Sequence, residues 1–288
     1  MLIAIECIPC ILNQAIRVSY VATDNYLIRE RIIREILGKL QKEDWKITPM
    51  QLAYKCFKHA KTILNKDDPY AKIKKEHNKI AKNYLNKIFN LMKESKKPLR
   101  IATNSAIAGN IIDFGPSISF EIDKIIHEIH KLSFAIDHFN IFEKKINTAK
   151  TIAYLLDNAG EVIFDIPLLR FLKENNKEVT IFARSEPVAN DVTVNDAIEL
   201  GLDRFGKIRG MKLLPNSNGK GIYVGNLEKT LRNFDLVISK GQGNFELFDE
   251  ADADIFFLLR IKCIPIAKRL KSEVGKVILG YNRQLFLS

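Results

Sequence analysis

Three residues could do metal chemistry together. Asp157, Asn158 and Asp191 supply two carboxylates and a carboxamide. These are hard oxygen donors that suit Mg²⁺ or Mn²⁺ with several waters retained. An Asp at the end of a strand also serves as a cap or turn residue. Behind Asp157, Gly160 and Glu161 open an expected helix, and the first N–H groups of a helix favour a phosphate. Lys240 stands between Ser239 and Gly241 after an apolar strand, where a Lys can clamp phosphate as a point charge. Gly241 and Gly243 would let the backbone approach a ligand, although a tight turn needs the same residues. There is no Gly-x-x-x-x-Gly-Lys loop and no Gly-x-Ser-x-Gly elbow. Nucleotide triphosphatases and Ser hydrolases of those kinds are therefore disfavoured.

These residues sit in a second half that reads as alternating strand, loop and helix. Apolar runs cover 151–156, 178–183, 236–238, 254–259 and 276–280. Helices are expected over 161–175 and from a cap near Thr193 to Gly201. This alternation predicts a mainly parallel α/β sheet. Ligands of such sheets bind outside the carboxyl ends of the strands. Three polar loops, 157–161, 184–191 and 239–246, fall at such ends.

The first half predicts helices. Leu27, Ile28, Ile32, Ile33, Ile36, Leu37 and Leu40 share one face. Thr48-Pro49 opens a second helix. A third is expected over 70–92, with its Lys residues on the opposite, solvated face. Residues 99–113 suit a strand or a helix, and the longer pattern favours the helix. A further helix is expected over 121–145. The resulting division is a helical, basic region over 1–148 and an α/β metal- and phosphate-binding domain over 149–288.

Charge divides the same way. The net +11 lies in residues 1–100, and residues 101–288 are balanced. Basic helices could attract nucleic acid, but Lys predominates without interleaved aromatic residues, so a solvated face or a partner or dimer surface is the plainer reading. No apolar run is long enough to span a bilayer. Four Cys are too few for a disulfide scaffold, which points to a reducing, cytoplasmic setting. Cys7 and Cys10 form a Cys-x-x-Cys pair, but no further ligands of matching spacing complete a zinc site.

Four segments occur in order: 109–115 (GNIIDFG), 157–161 (DNAGE), 184–191 (RSEPVAND) and 240–246 (KGQGNFE). Together they resemble the family once called domain of unknown function eighty-nine, the metal-dependent damage-control phosphatases. The Cys7–Cys10 pair resembles its stand-alone microbial branch. The resemblance implies a multihelical N-terminal region on a three-layer α/β/α domain. It implies a divalent metal (Mg²⁺, Mn²⁺, Co²⁺ or Ni²⁺) held by Asp157, Asn158 and Asp191, and a phosphorylated small molecule such as a sugar phosphate or a damaged phosphometabolite. Asn110, Asp113 and Lys240 match positions near the substrate pocket. The family usually has Lys where this chain has Arg184, a fork rather than a point charge. One relative has been described as a protein carboxyl methyltransferase using S-adenosylmethionine. The usual glycine-rich cofactor loop is missing here after the first strand, which weighs against that activity.

Overall fold

The computed structural model describes residues 1–111, 118–214 and 224–286. The chain starts with helices α1 (Cys7–Ala22), α2 (Tyr26–Lys42) and α3 (Pro49–Leu64). Asn25 caps α2 by accepting from the N–H of Leu27 at 3.0 Å. Thr48 and Gln51 form a reciprocal capping box on α3, with Pro49 in its first turn. The three helices bury Ile11, Val18, Ile32, Ile36, Leu52 and Ala60 in a core of their own.

The helix expected over 70–92 is two helices, α4 (Ala71–Lys82) and α5 (Leu85–Glu94). The N–H groups of Asn83 and Tyr84 reach back only three residues, to Ile80 and Ala81. That tightening ends α4 and turns the chain. Residues 99–111 lie in α6 (Pro98–Ile111), where every residue from Ile101 to Asn110 is buried. Burial on all sides explains the weak amphipathic pattern that made this stretch ambiguous.

The helix expected over 121–145 gives way to α7 (Ile118–His127), a 3-10 turn, strand β1 (Ile136–Asp137) and α8 (Phe139–Thr148). Asp137 explains the change, because its Oδ1 accepts the N–H of Phe139 at 3.1 Å and starts α8. Both Asp137 oxygens also take the Arg100 fork, at 2.8 and 2.7 Å. Burial pushes the Asp137 carboxyl up, but Arg100 more than offsets it and holds the group below the ordinary range. Stability from this pair is therefore present at neutral pH and is lost as pH falls through the depressed value. Asp137→Asn should cost about 0.5–1 kcal/mol, since the site is partly exposed. Thermal melts at pH 7 and in acid would show the difference shrinking in acid.

The rest of the chain alternates β2 (Thr151–Leu155), α9 (Glu161–Glu174), β3 (Glu178–Arg184), α10 (Val194–Glu199), β4 (Lys207–Met211), α11 (Val224–Leu231), β5 (Leu236–Lys240), α12 (Gly241–Phe248), β6 (Ile255–Arg260), α13 (Ile264–Arg269), β7 (Val277–Tyr281) and α14 (Asn282–Leu285). The sheet order is β1-β7-β6-β5-β2-β3-β4. All pairings are parallel except β6 with β7. Beyond β2 the chain builds outward through β3 and β4, then returns to lay β5 on the other side. The crevice between β2 and β5 is thus a topological switch point.

The faces of the sheet follow the period of two. Ile152, Tyr154, Ile238, Phe256 and Leu258 enter one core with α5, α6, α8 and α9. Ala153, Leu155, Val237, Phe257 and Leu259 enter the other, with α12 and α13. The first of these cores runs from Ala81 to Tyr281 and so crosses the expected boundary at 148/149. The segment 239–246, expected as a loop, is instead the end of β5 and the start of α12. No helix among the described residues is long and apolar enough to cross a membrane.

Candidate active site at the carboxyl ends of β2, β3 and β5

Asp157 and Asn158 follow β2 after one residue, Leu156, and Asp191 lies in the loop after β3. Backbone bonds join the two loops. Asn158 and Asp191 form an isolated antiparallel bridge. The N–H of Val192 donates to the Asp157 carbonyl, and that of Ala159 to the Asn190 carbonyl, both at 2.9 Å. The result is two carboxylates on joined loops, each more than nine-tenths buried.

Their electrostatics follow from that burial. Loss of water, then the charges of Glu161 and Asp191, push the Asp157 carboxyl well above the ordinary range, while Lys262 and Arg184 pull it down. Burial also raises Asp191, against Arg184. Gly241, at φ +76°, lies against Asp157. A Cβ there would sit 1.8 Å from Asp157 Oδ2.

Glu161 sits beneath Asp157. Asn110 Nδ2 donates to both Glu161 oxygens, at 3.1 and 3.0 Å, and to Asp157 Oδ2 at 3.3 Å. Asn110 Oδ1 accepts the N–H of Arg260 at 2.8 Å, which fixes the amide's orientation. Gly109 permits this contact, since a Cβ there would meet Glu161 at 3.0 Å.

Lys240 is fully buried. The alternation of β5 turns it toward Tyr154 and α9. Its ammonium donates to Glu161 Oε1 at 2.8 Å and to Asp165 Oδ1 at 2.7 Å. Tyr154 Oη donates to the same Asp165 oxygen at 2.8 Å. Burial disfavours the Lys240 charge, but Asp165 and Glu161 outweigh it and hold its pKa above the usual Lys range. Burial raises Asp165 to about 6 despite Lys240. In this structure Lys240 is a counter-ion for carboxylates, and its ammonium is not exposed to a phosphate.

Arg184 is spent in a similar way. Its Nε donates to Asp191 Oδ2 at 2.7 Å and its Nη2 to Asn244 Oδ1 at 3.0 Å. Asn244 in turn donates to the carbonyls of Leu156 and Lys240, both at 2.9 Å. One fork thus ties the ends of β2, β3 and β5 together. An ammonium has no second planar donor pair to span this gap. Arg184→Lys should therefore destabilise the fold, by about 1.5–3 kcal/mol if a charge-assisted bond is lost, and scanning calorimetry would read the lower melting temperature.

Gly160, at φ +79°, caps α9. Its N–H is taken by Asn78 Oδ1 at 2.6 Å and does not point into the crevice. Among the described residues no cluster of three or more His, Cys, Asp or Glu is disposed to hold a metal ion. The oxygen-bearing side chains at the crevice are the carboxylates of Asp157 and Asp191 and the amide of Asn158. That set fits a hard divalent cation, which commonly takes one or two carboxylates and keeps its waters. In this structure the Asn158 Nδ2 faces Asp157 Oδ2 at 2.8 Å, so the amide must turn over to offer oxygen.

The Damage-control phosphatase ARMT1-like domain model matches residues 3–278. The chain belongs to this family. A damage-control phosphatase of Pyrococcus horikoshii is 32% identical over 96% of this chain and 97% of its own length. Another, of Archaeoglobus fulgidus, is 30% identical over 94% of this chain and 96% of its own. The crystal structure of a DUF89 family protein from Pyrococcus horikoshii superposes with a TM-score of 0.85 at 29% identity, covering 98% of this chain and 99% of that one.

Family membership accords with the fold and with the order of the four motifs. Three of them, 109–111, 157–161 and 184–191, meet around Asp157 with the start of 240–246. Asp113 lies outside the described residues. Cys7 is buried and Cys10 exposed, and both are free thiols. Sequence reasoning passed over Asn78, Lys74, Tyr154, Asp165 and Asn244. Only Asn244 carried a signal, as part of the KGQGN segment.

Proposed function

We propose that this protein is a divalent-metal-dependent phosphatase that hydrolyses phosphate monoesters of small metabolites, either sugar phosphates or damaged phosphometabolites. The observation that carries this reading is the pair of buried, mutually repelling carboxylates, Asp157 and Asp191, at the switch point between β2 and β5. Such a pair is costly without a cation and useful with one. Its membership of a damage-control phosphatase family supports the same reading.

Asp157, Asp191 and the Asn158 amide oxygen would hold Mg²⁺, Mn²⁺, Co²⁺ or Ni²⁺. The ion would supply Lewis-acid neutralisation of the phosphoryl oxygens. Every other task falls to the chain. Arg184 fixes Asp191 Oδ2 through the Nε bond and opposes the burial that raises its pKa. Asn110, with Lys240 beneath it, holds Glu161 and so fixes the floor under Asp157. Lys240 therefore acts on phosphate only through this floor. Exposed Lys262, whose charge reaches Asp157, is the better placed cation for the substrate phosphate. A water attacks phosphorus in this reading, because a carboxylate engaged with a cation is a poor nucleophile. Asp191 is at hand to orient that water.

The test is hydrolysis of p-nitrophenyl phosphate by chelator-stripped protein, with Mg²⁺, Mn²⁺, Co²⁺ and Ni²⁺ restored singly. Turnover restored by a metal is the expected result, and a screen of sugar and cofactor phosphates would follow. No hydrolysis of any phosphate with any metal, together with calorimetric binding of S-adenosylmethionine, would replace this reading by the methyltransferase.

A further inference from the structure

Helix α4 looks like a solvated, Lys-rich helix, and Lys72, Lys75 and Lys79 are exposed. Two polar residues break the pattern. Lys74 is 1% exposed and Asn78 is 7% exposed. They stand four residues apart, one turn along a single face. Asn78 grips the loop after β2, and Lys74 grips the first turn of α10. Asn78 Oδ1 accepts the Gly160 N–H at 2.6 Å, three residues beyond Asp157. Lys74 Nζ lies 2.6 Å from Asp196 Oδ2, with Asp68 Oδ2 at 2.6 Å as its second partner. The same Asp196 oxygen accepts from the Thr193 N–H at 2.9 Å and from Thr193 Oγ1 at 2.7 Å. Thr193 is two residues beyond Asp191.

We infer that Lys74 and Asn78 are positioning residues that set the separation of Asp157 and Asp191. The Asn78 contact falls on Gly160, in the loop that carries Asp157. The Lys74 contact falls on Asp196 in the first turn of α10, whose capping box holds Thr193 at the end of the loop that carries Asp191. Both come from one helix. Gly160 has a left-handed backbone at φ +79°, and the buried acceptor on its N–H holds that turn in place. Asp196 belongs to the capping box of α10, so Lys74 fixes the start of that helix and the chain leading to it. Groups that orient ligating residues typically govern metal affinity by about 10–100-fold. This inference rests on the metal-binding reading of Asp157 and Asp191.

The experiment is calorimetric titration of Mn²⁺ into the full-length, chelator-stripped protein, with a thermal melt of each variant. Asn78→Leu and Lys74→Met should each weaken Mn²⁺ binding by about tenfold or more. Asn78→Asp keeps an acceptor for the Gly160 N–H and should restore binding to within a few-fold of the parent. Ile88→Ala, a cavity in the neighbouring α5, should lower the melting temperature and leave Mn²⁺ affinity unchanged. Should Lys74→Met fail to fold, Asn78→Leu and its Asp counterpart carry the test. Parent-like Mn²⁺ affinity in Asn78→Leu, with the parent binding normally, would overturn the positioning role and leave the phosphatase reading standing. A parent protein that binds no Mn²⁺, Mg²⁺, Co²⁺ or Ni²⁺ would overturn both.

Discussion

Asp157→Asn should remove metal-dependent hydrolysis, by about 10³-fold or more if several kcal/mol of charge stabilisation depend on the bound ion, and should at the same time make the metal-free protein harder to melt. The second effect follows from the sign of the Asp157 shift. Burial, Glu161 and Asp191 raise its pKa in the folded state. A raised carboxyl contributes stability that is present in acid and lost as pH rises. The neutral amide escapes that loss, while its oxygen still accepts from Asn110 and Asn158. Each kcal/mol gained should raise the midpoint by about 2–4 °C. Thermal melts in chelator at pH 7 should show the gain, and it should narrow toward about pH 4, near the ordinary Asp value. Added Mn²⁺ should stabilise the parent and leave the variant unmoved. A variant that keeps full metal-dependent turnover would remove Asp157 from the site.

Gly241→Ala should be nearly as damaging although it changes no charge. The new methyl would sit 1.8 Å from Asp157 Oδ2 and 2.2 Å from its Cγ. Either the carboxylate or the start of α12 must then move. The backbone adds a second cost, because φ +76° is left-handed and costs an L-residue about 1–2 kcal/mol. Turnover should fall by about 10²-fold, as displacement of a reacting group by an ångström can do. Gly243→Ala is the natural comparison. Its Cβ would meet only the flexible Met50 side chain, at 3.3 Å, and the variant should keep most activity. Steady-state assays of the pair with p-nitrophenyl phosphate would show the contrast, and equal loss in both would contradict it.

These two glycines look alike in the sequence, and only the fold separates them. The same is true of Lys240. Its position after an apolar strand was legible, because a short run of Leu236, Val237 and Ile238 needs no partner to be recognised. Its direction was not, since that depends on the register of β5 against β2 and on which face α9 covers. Asp157, Asn158 and Asp191 were legible as polar residues at strand ends, and the sheet brings them to one crevice. Strand β1 has only two residues, too few for a period to show. Strand β4, Lys207-Ile208-Arg209-Gly210-Met211, lies at the sheet edge and is mostly half-buried, so it lacks the apolar run of an inner strand. Lys74 and Asn78 were hidden by their neighbours. In a helix with so many exposed Lys residues, a buried one is written in the same letter.

The long spans bridged at this crevice bear on how the protein comes to be active. Gly160 and Asn78 are 82 residues apart, Lys74 and Asp196 are 122 apart, and Asn110 meets the Arg260 backbone across 150. Non-local closures of this kind are the slow part of folding, because chain entropy is lost before the contact is gained. The helices of the first half and the sheet of the second can each gather locally, but the crevice is finished only when they dock. A nascent or partly unfolded chain therefore carries its acidic residues apart and has no competent centre. Excising residues 149–288 would yield the carboxylates without the helix that carries Lys74 and Asn78.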